Sequence, residues 1–375
     1  MRAGVLAIAG YLAGCSFSPS RAMNDDDTGG SDAHVPPDGC RSITDQFDAC
    51  MYGSGADLTV SDSGTYDTDT GMLVVGDGVA IKLDDQHVAT PAGMIDLIPV
   101  HDFQLADSKT LAVSGTLALA IFATGTIDIA GTLDVGADGS ASGPGGRASC
   151  DQGASMGAAS TSGGGGGGGG AFAGAGGNGG TGKSGATAGG GGGAVLALPS
   201  GLLGGCAGAQ GGSGGESGGL GGGGGGAILL ASAMSITTET RGGVNVGGGG
   251  GDPGHDQQAA GGGGGAGGFI LLQAPTITNL GFFAANGGGG GEGANSNTPG
   301  SPGENAHDTT MPAMGGSGTN NGGNGGQGGA ASVPASDGSG TSDGGGGGGG
   351  GVGYISVQGA LSNPGVVTPS VTQWP

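Results

Sequence analysis

Short apolar runs separated by Asp/Gly turns open the patterned part of the chain: LTV, MLVVG, VAIKL and MIDLIPV between residues 55 and 100. Runs this brief, bounded by turn formers, predict short strands. The most regular segment follows, KTLAVSGTLALAIFATGTIDIAGTLDVGADG at residues 109–139. Its related triplets Gly115-Thr116-Leu117, Gly125-Thr126-Ile127 and Gly131-Thr132-Leu133 each introduce an aliphatic run. Thr, Val and Ile together with recurrent Gly disfavour helix. The spacing is also too short for crossover helices. Stacked short strands joined by tight glycine turns are expected, as in a parallel β-helix or solenoid-like spine. The alternative is an antiparallel β-sandwich with disordered glycine loops.

Beyond residue 140, glycine tracts alternate with apolar strings: AVLAL (194–198), AILLASAMSI (227–236), FILLQAPTIT (269–278) and VGYISVQGAL (352–361). The middle two align as a repeat, with Ile228 and Ile270 lying 42 residues apart and similar exits at GGVNVGGGGG and GFFAANGGGG. Insertions concentrate in the glycine tracts, so the tracts should project from a core. Some carry a period of three. NGGNGGQGG at 321–329 keeps two glycines per triplet, and Gly176, Gly179, Gly182 and Gly185 share one phase. Polyproline II has three residues per turn, so these segments would present a bare edge and pack as polyproline II-like loops. Four regions result: a leader (1–14), a disordered tether (15–39), a short-strand β region (40–139) and a glycine-rich repeat β region (140–375).

Composition narrows the partners. The chain has 375 residues, 105 of them Gly, with 8 Lys+Arg against 30 Asp+Glu and a formal charge of −22. No basic patch is there to displace counterions from phosphates, so nucleic acid is excluded as a partner. The string GNGGTGKS (177–184) fits a phosphate-loop pattern, but it lies among glycines that make a poor helix, so no nucleotide is expected. GADG (136–139) and GGDPGHDQ (250–257) hint at calcium nonapeptides without the nine-residue repeat. Calcium is the one ion they suggest, and no cofactor is expected otherwise. His34, His87, His101, His255 and His307 show no tight ligand spacing. His101 and Asp102, as strand neighbours, would face opposite ways.

The N-terminal MRAGVLAIAGYLAGC has Arg2, an apolar stretch too short to span a bilayer, and then Leu12-Ala13-Gly14-Cys15. Its last four residues resemble a bacterial lipobox, which implies export, acylation of Cys15 and a lipid anchor in the outer membrane. Ser16 to Gly39 is polar and aperiodic. Cys40, Cys50, Cys150 and Cys206 remain, enough for two disulfides with three pairings. Cys40 with Cys50 and Cys150 with Cys206 is the favoured set, because each couple shares a similar context.

The lipobox, the acidic spacer, the 109–139 strand block and the GGGGGGAILLASAMSI modules together resemble glycine-rich secreted lipoproteins of myxobacteria. These are loosely termed PE-PGRS-like, although no PE helices are present here. The glycine tracts also look like polyproline II sandwiches of phage tail adhesins. The family resemblance brings no established function; lipobox and architecture together lead to the expectation of a lipid-anchored structural or adhesive cell-surface protein, non-catalytic, with a surface glycan or protein as ligand and the membrane reached through its lipid. The alternative is a carbohydrate-active β-helix enzyme, lyase or glycosidase, drawing on Asp84, Asp85, Asp96 and Asp128.

Overall fold

The computed structural model describes residues 55–374 except Asp77, Thr319 and Asn320. The leader, the tether, Cys15, Cys40 and Cys50 therefore lie outside the described residues. The strands begin with β1 (Leu58–Val60), β2 (Gly64–Asp67), β3 (Met72–Val75), β4 (Val79–Lys82), β5 (Gln86–Thr90) and β6 (Gly93–Val100). Next come β7 (Phe103–Leu105), β8 (Thr110–Ser114), β9 (Ala118–Ala123), β10 (Thr126–Ile129), β11 (Thr132–Asp134) and β12 (Ala227–Ser232). The last are β13 (Ser235–Thr238), β14 (Gly243–Asn245), β15 (Phe269–Asn279), β16 (Phe282–Ala284), β17 (Tyr354–Ser362), β18 (Val366–Thr368) and β19 (Thr372–Gln373).

They form two mixed sheets. The larger has 11 strands in the order β1-β7-β10-β13-β15-β12-β9-β6-β5, with β17 on β15 and β19 on β17. The smaller has 8, ordered β18-β16-β14-β11-β8-β2-β3-β4. A simple parallel β-helix spine does not describe this. Pairing is antiparallel along β2, β3 and β4 and between β5 and β6. Tight turns cause it: after β2, Asp67 Oδ1 accepts from the Asp69 and Thr70 N–H groups, and Gly71 supplies a φ of 64°. The larger sheet also curls. β15 pairs with β12 through Phe269–Gln273 and with β13 through Thr276–Asn279, on either side of the Gln273/Thr276 register shift in its ladder with β17. The result is an all-β domain closer to a half-barrel or sandwich than to a uniform solenoid, although most of its ladders are parallel.

Side chains explain why the ladders hold register. Leu119, Ile228, Ile270 and Ile355 pair in one row, and Ile121, Leu230, Leu272 and Val357 in the next. From the smaller sheet, Leu111, Leu133, Val244, Phe283 and Val367 line up likewise. These rows meet in one buried cluster. A one-residue slip would turn each row away from the core. The opposite face of the larger sheet carries Leu97, Phe122, Leu229 and Phe269, covered by Phe172 and partly by Leu196, Leu198 and Trp374.

The glycine-rich insertions follow β11, β14 and β16, and they are built into the structure. Residues 164–170 show how. Gly164, Gly167 and Gly170 donate to Gln258 O, Gly261 O and Gly264 O. Gly166 and Gly169 donate to Gly180 O and Gly177 O, and Gly165 and Gly168 to Ala158 O and Ser155 O. Every third N–H thus faces the same neighbour, the pattern of an extended backbone with three residues per turn. In NGGNGGQGG, Asn321, Asn324 and Gln327 are exposed while Gly322, Gly323, Gly326, Gly328 and Gly329 are buried. Cys150 and Cys206 form a disulfide across a sequence separation of 56, which pins the first insertion. Such a staple contributes about 2–4 kcal/mol.

Candidate functional site

At the N-terminal end of the two sheets, Tyr66 of β2 meets Asp96 of β6. The hairpin register places His87 of β5 directly opposite Asp96, and cross-strand partners share a face. Asp85 comes from the short connection between β4 and β5. One ligand atom each from Asp85, His87 and Asp96 lies within 4.8 Å of the others. His87 Nε2 is 3.6 Å from Asp85 Oδ2, 3.9 Å from Asp96 Oδ1 and 3.1 Å from the Thr68 carbonyl oxygen. Its Nδ1 takes part in none of these contacts. The His87 side chain is 38% exposed, while those of Asp85 and Asp96 are 4% and 0% exposed. His87 is therefore the member that can touch a bound molecule, and the two carboxylates lie beneath it. Lys82 pairs with Asp85 Oδ1 from the solvent side.

The electrostatics are unusual for a carboxylate. Burial, reinforced by the nearby Asp85 charge, pushes Asp96 up to about 6, against the opposing effects of the Tyr66 hydrogen bond and of His87. The Tyr66 hydroxyl donates to Asp96 Oδ2 at 2.6 Å, and burial followed by the Asp96 bond raises its own pKa, which keeps it a donor. Asp96 Oδ1 is buried without a hydrogen-bond partner.

A native pKa above the unfolded value of 3.8 means that the folded protein holds this proton more tightly. The associated stability is present below pH 3.8 and is lost as pH rises through about 6. Asp96→Asn keeps a Tyr66 acceptor and removes the ionisation. In protein stripped of metal by a chelator, the variant should match wild type near pH 4 and exceed it by about 2–3 kcal/mol at pH 7.5. Urea denaturation of both proteins at the two pH values measures the difference. A gap that does not grow with pH would remove the ionisable Asp96 from the account.

A second group, Asp57, His101 and Asp102, meets the same distance criterion. His101 Nδ1 is 3.1 Å from Asp57 Oδ1 and 3.3 Å from Asp102 Oδ2. The expectation that His101 and Asp102 diverge fails because they occupy the turn between β6 and β7, outside either strand. This group is more open, and Asp102 Oδ1 already accepts from the Thr126 N–H at 2.6 Å and Oγ1 at 3.1 Å. The Thr126 backbone bond, first among the causes, lowers the Asp102 pKa. Both groups have the composition and spacing to hold a metal ion.

Of the four sequence candidates, Asp85 and Asp96 come together, whereas exposed Asp84 and half-buried Asp128 stand apart from the group. Tyr66 is absent from the sequence candidates, and His87 carries no ligand spacing there. HVATPAGMID held the signal: a Pro-Ala-Gly turn centred between His87 and Asp96 sets them across a hairpin. His255 Nδ1 contacts Ser217 O from 38 residues away, and His307 Nε2 contacts Glu304 Oε2 three residues before it. In the phosphate-loop-like string, Gly177, Gly179 and Gly180 donate their N–H groups to Gly349 O, Gly190 O and Gly346 O. A depression of about 310 Å³, apart from either group, is lined by Asp107, Ala130, Glu239, Thr240 and Arg241.

The convergence of Asp85, His87 and Asp96 overturns the expectation of a non-catalytic structural or adhesive chain. A purely structural role gives no reason to bury Asp96 beside a second carboxylate and a half-exposed imidazole, where desolvation opposes its charge. No family model, curated protein or solved structure matches the chain, and the expected signal peptide, lipid anchor and outer-membrane address find no support there.

Proposed function

We propose that the chain is a carbohydrate-active hydrolase whose catalytic centre is Asp85, His87 and Asp96. The observation that carries the reading is the meeting of three proton-transferring groups within 4.8 Å, with one of them at the surface. Strongly perturbed groups cluster at functional sites. His87 is the residue placed to exchange a proton with substrate. As base it takes a proton from water; as acid it returns one to the leaving oxygen. Across the reaction a water oxygen–carbon bond forms and a glycosidic carbon–oxygen bond breaks. Asp85 and Asp96 behind Nε2 stabilise the imidazolium that forms, and Tyr66 holds Asp96 in place. The formal charge of −22 disfavours polyanionic chains. This supports a glycosidase on neutral glycans over a lyase on uronates.

Calcium is the weaker match among ions, because it takes six to eight oxygen ligands and this centre offers an imidazole nitrogen. A screen of neutral and acidic polysaccharides for released reducing ends tests the reading. Release by the full chain is expected; its absence across neutral and acidic glycans would overturn the assignment.

A further inference from the structure

We infer that Asp85 Oδ2, His87 Nε2 and Asp96 Oδ1 form a three-ligand site for a zinc-class divalent transition-metal ion. The inference rests on the same cluster as the proposed function but puts the ion in place of the proton: a metal on Nε2 with a proton on Nδ1 takes His87 out of acid–base exchange, so hydrolysis through His87 belongs to the metal-free chain.

Asp96 Oδ1 provides the strongest sign. It belongs to a side chain with 0% exposure and has no hydrogen-bond partner. A buried acceptor left unmatched costs free energy, and a cation between it and His87 would satisfy it. Its direction is fixed, because Tyr66 holds the other carboxylate oxygen at 2.6 Å. That is how outer-shell partners orient metal ligands.

The spacing fits as well. Zinc binds imidazole nitrogen and carboxylate oxygen at about 2.0–2.2 Å, so ligand atoms stand about 3.3–3.6 Å apart around a tetrahedral ion. The two edges that meet at His87 Nε2 are 3.6 and 3.9 Å. Small side-chain shifts would close the rest. One nitrogen and two carboxylate oxygens from three residues is the donor number of catalytic zinc sites, which leave a fourth position for water. The mixed N/O set favours this class over magnesium or calcium.

Binding requires a neutral imidazole with its proton on Nδ1. Nε2 then gives up its contact with Thr68 O and turns its lone pair to the ion. Lys82 is the local opponent: its ammonium pairs with Asp85 Oδ1 and repels a cation, but its side chain is 57% exposed and can swing away.

Zinc titration of the chelator-stripped full chain against a chromophoric competitor tests the site. Cobalt(II) substitution adds a visible spectrum that reports tetrahedral N/O ligation. One ion at the His87 cluster is expected, whatever the exposed Asp57–His101–Asp102 group takes up. His87→Ala and Asp96→Asn should each weaken zinc by about 100-fold or more, and Tyr66→Phe by about 10-fold. Lys82→Gln should tighten it several-fold, a gain that misfolding cannot mimic. His255→Ala, outside either group, should leave affinity unchanged. No binding by wild type, or binding that His87→Ala and Asp96→Asn leave intact, would overturn the inference. Glycan hydrolysis without zinc binding would sink the metal site and leave the hydrolase; zinc binding without hydrolysis would do the reverse.

Discussion

Replacing Gly263 with alanine should cost about 3–5 kcal/mol and leave little folded protein. A Cβ at this position would overlap the Gly168 carbonyl oxygen. That oxygen cannot retreat freely, since it accepts the Ala209 N–H at 2.9 Å. Gly263 in turn donates to Ala209 O at 2.9 Å and accepts from the Gly222 N–H at 2.8 Å. Separating the segments enough for a methyl group would stretch several of these bonds inside a region closed to water. The control is Gly191→Ala. Gly191 is exposed, and a Cβ there would meet only Ser155 Oγ, at 3.5 Å. Its expected change is within about 0.5 kcal/mol, or a slight gain from a stiffer unfolded chain. Guanidinium denaturation followed through Trp374 fluorescence compares the two. Equal stabilities would mean that the glycine segments are not packed backbone to backbone.

The contrast shows what the sequence discloses about the glycine regions. A triplet such as NGGNGGQGG announces its phase, because Asn321, Asn324 and Gln327 mark the outward edge. A pure run such as Gly261 to Gly265 satisfies every period and announces none. Yet this run is fully buried, and its neighbours come from far along the chain: Gly168, Ala209, Gly222 and Gly288 all border it. No local pattern encodes such partners.

The strands were more legible. The pairing of the ILL strings at 228 and 270 is a parallel register, and the Cys150–Cys206 couple is bonded. The shape of the sheets was not. The Gly71 and Pro-Ala-Gly turns reverse the chain and make antiparallel hairpins, where uniform stacking was expected. One long strand, β15, pairs with both β12 and β13, and nothing in its sequence announces two partners. The candidate site was hidden for the same reason. Asp96 reads as a charge interrupting an apolar strand, and its significance comes from Tyr66 on the other sheet, 30 residues earlier. His87 lacks any motif because its partners are set by a hairpin rather than by spacing within one element.

The second large effect concerns His87. His87→Ala should lower kcat/KM for glycan hydrolysis by about 10²–10⁴-fold, the range for a lost acid–base group, or about 3–5 kcal/mol of transition-state stabilisation. Its half-exposed side chain contributes little to the core, so stability should change by less than about 1 kcal/mol. Asp96→Asn should reduce turnover in the same direction while stabilising the metal-free protein above pH 6, which separates catalytic loss from unfolding. His101→Ala supplies the comparison: an exposed histidine that also sits between two aspartates, in a group whose Asp102 is already hydrogen-bonded to Thr126.

The most direct measurement is therefore kcat/KM for reducing-end release from a neutral polysaccharide by wild type, His87→Ala and His101→Ala. Activity in wild type and His101→Ala, with a loss of at least about 100-fold in His87→Ala, is the predicted result. Equal activity in all three proteins, or an equal loss in both variants, would contradict a catalytic centre at Asp85, His87 and Asp96.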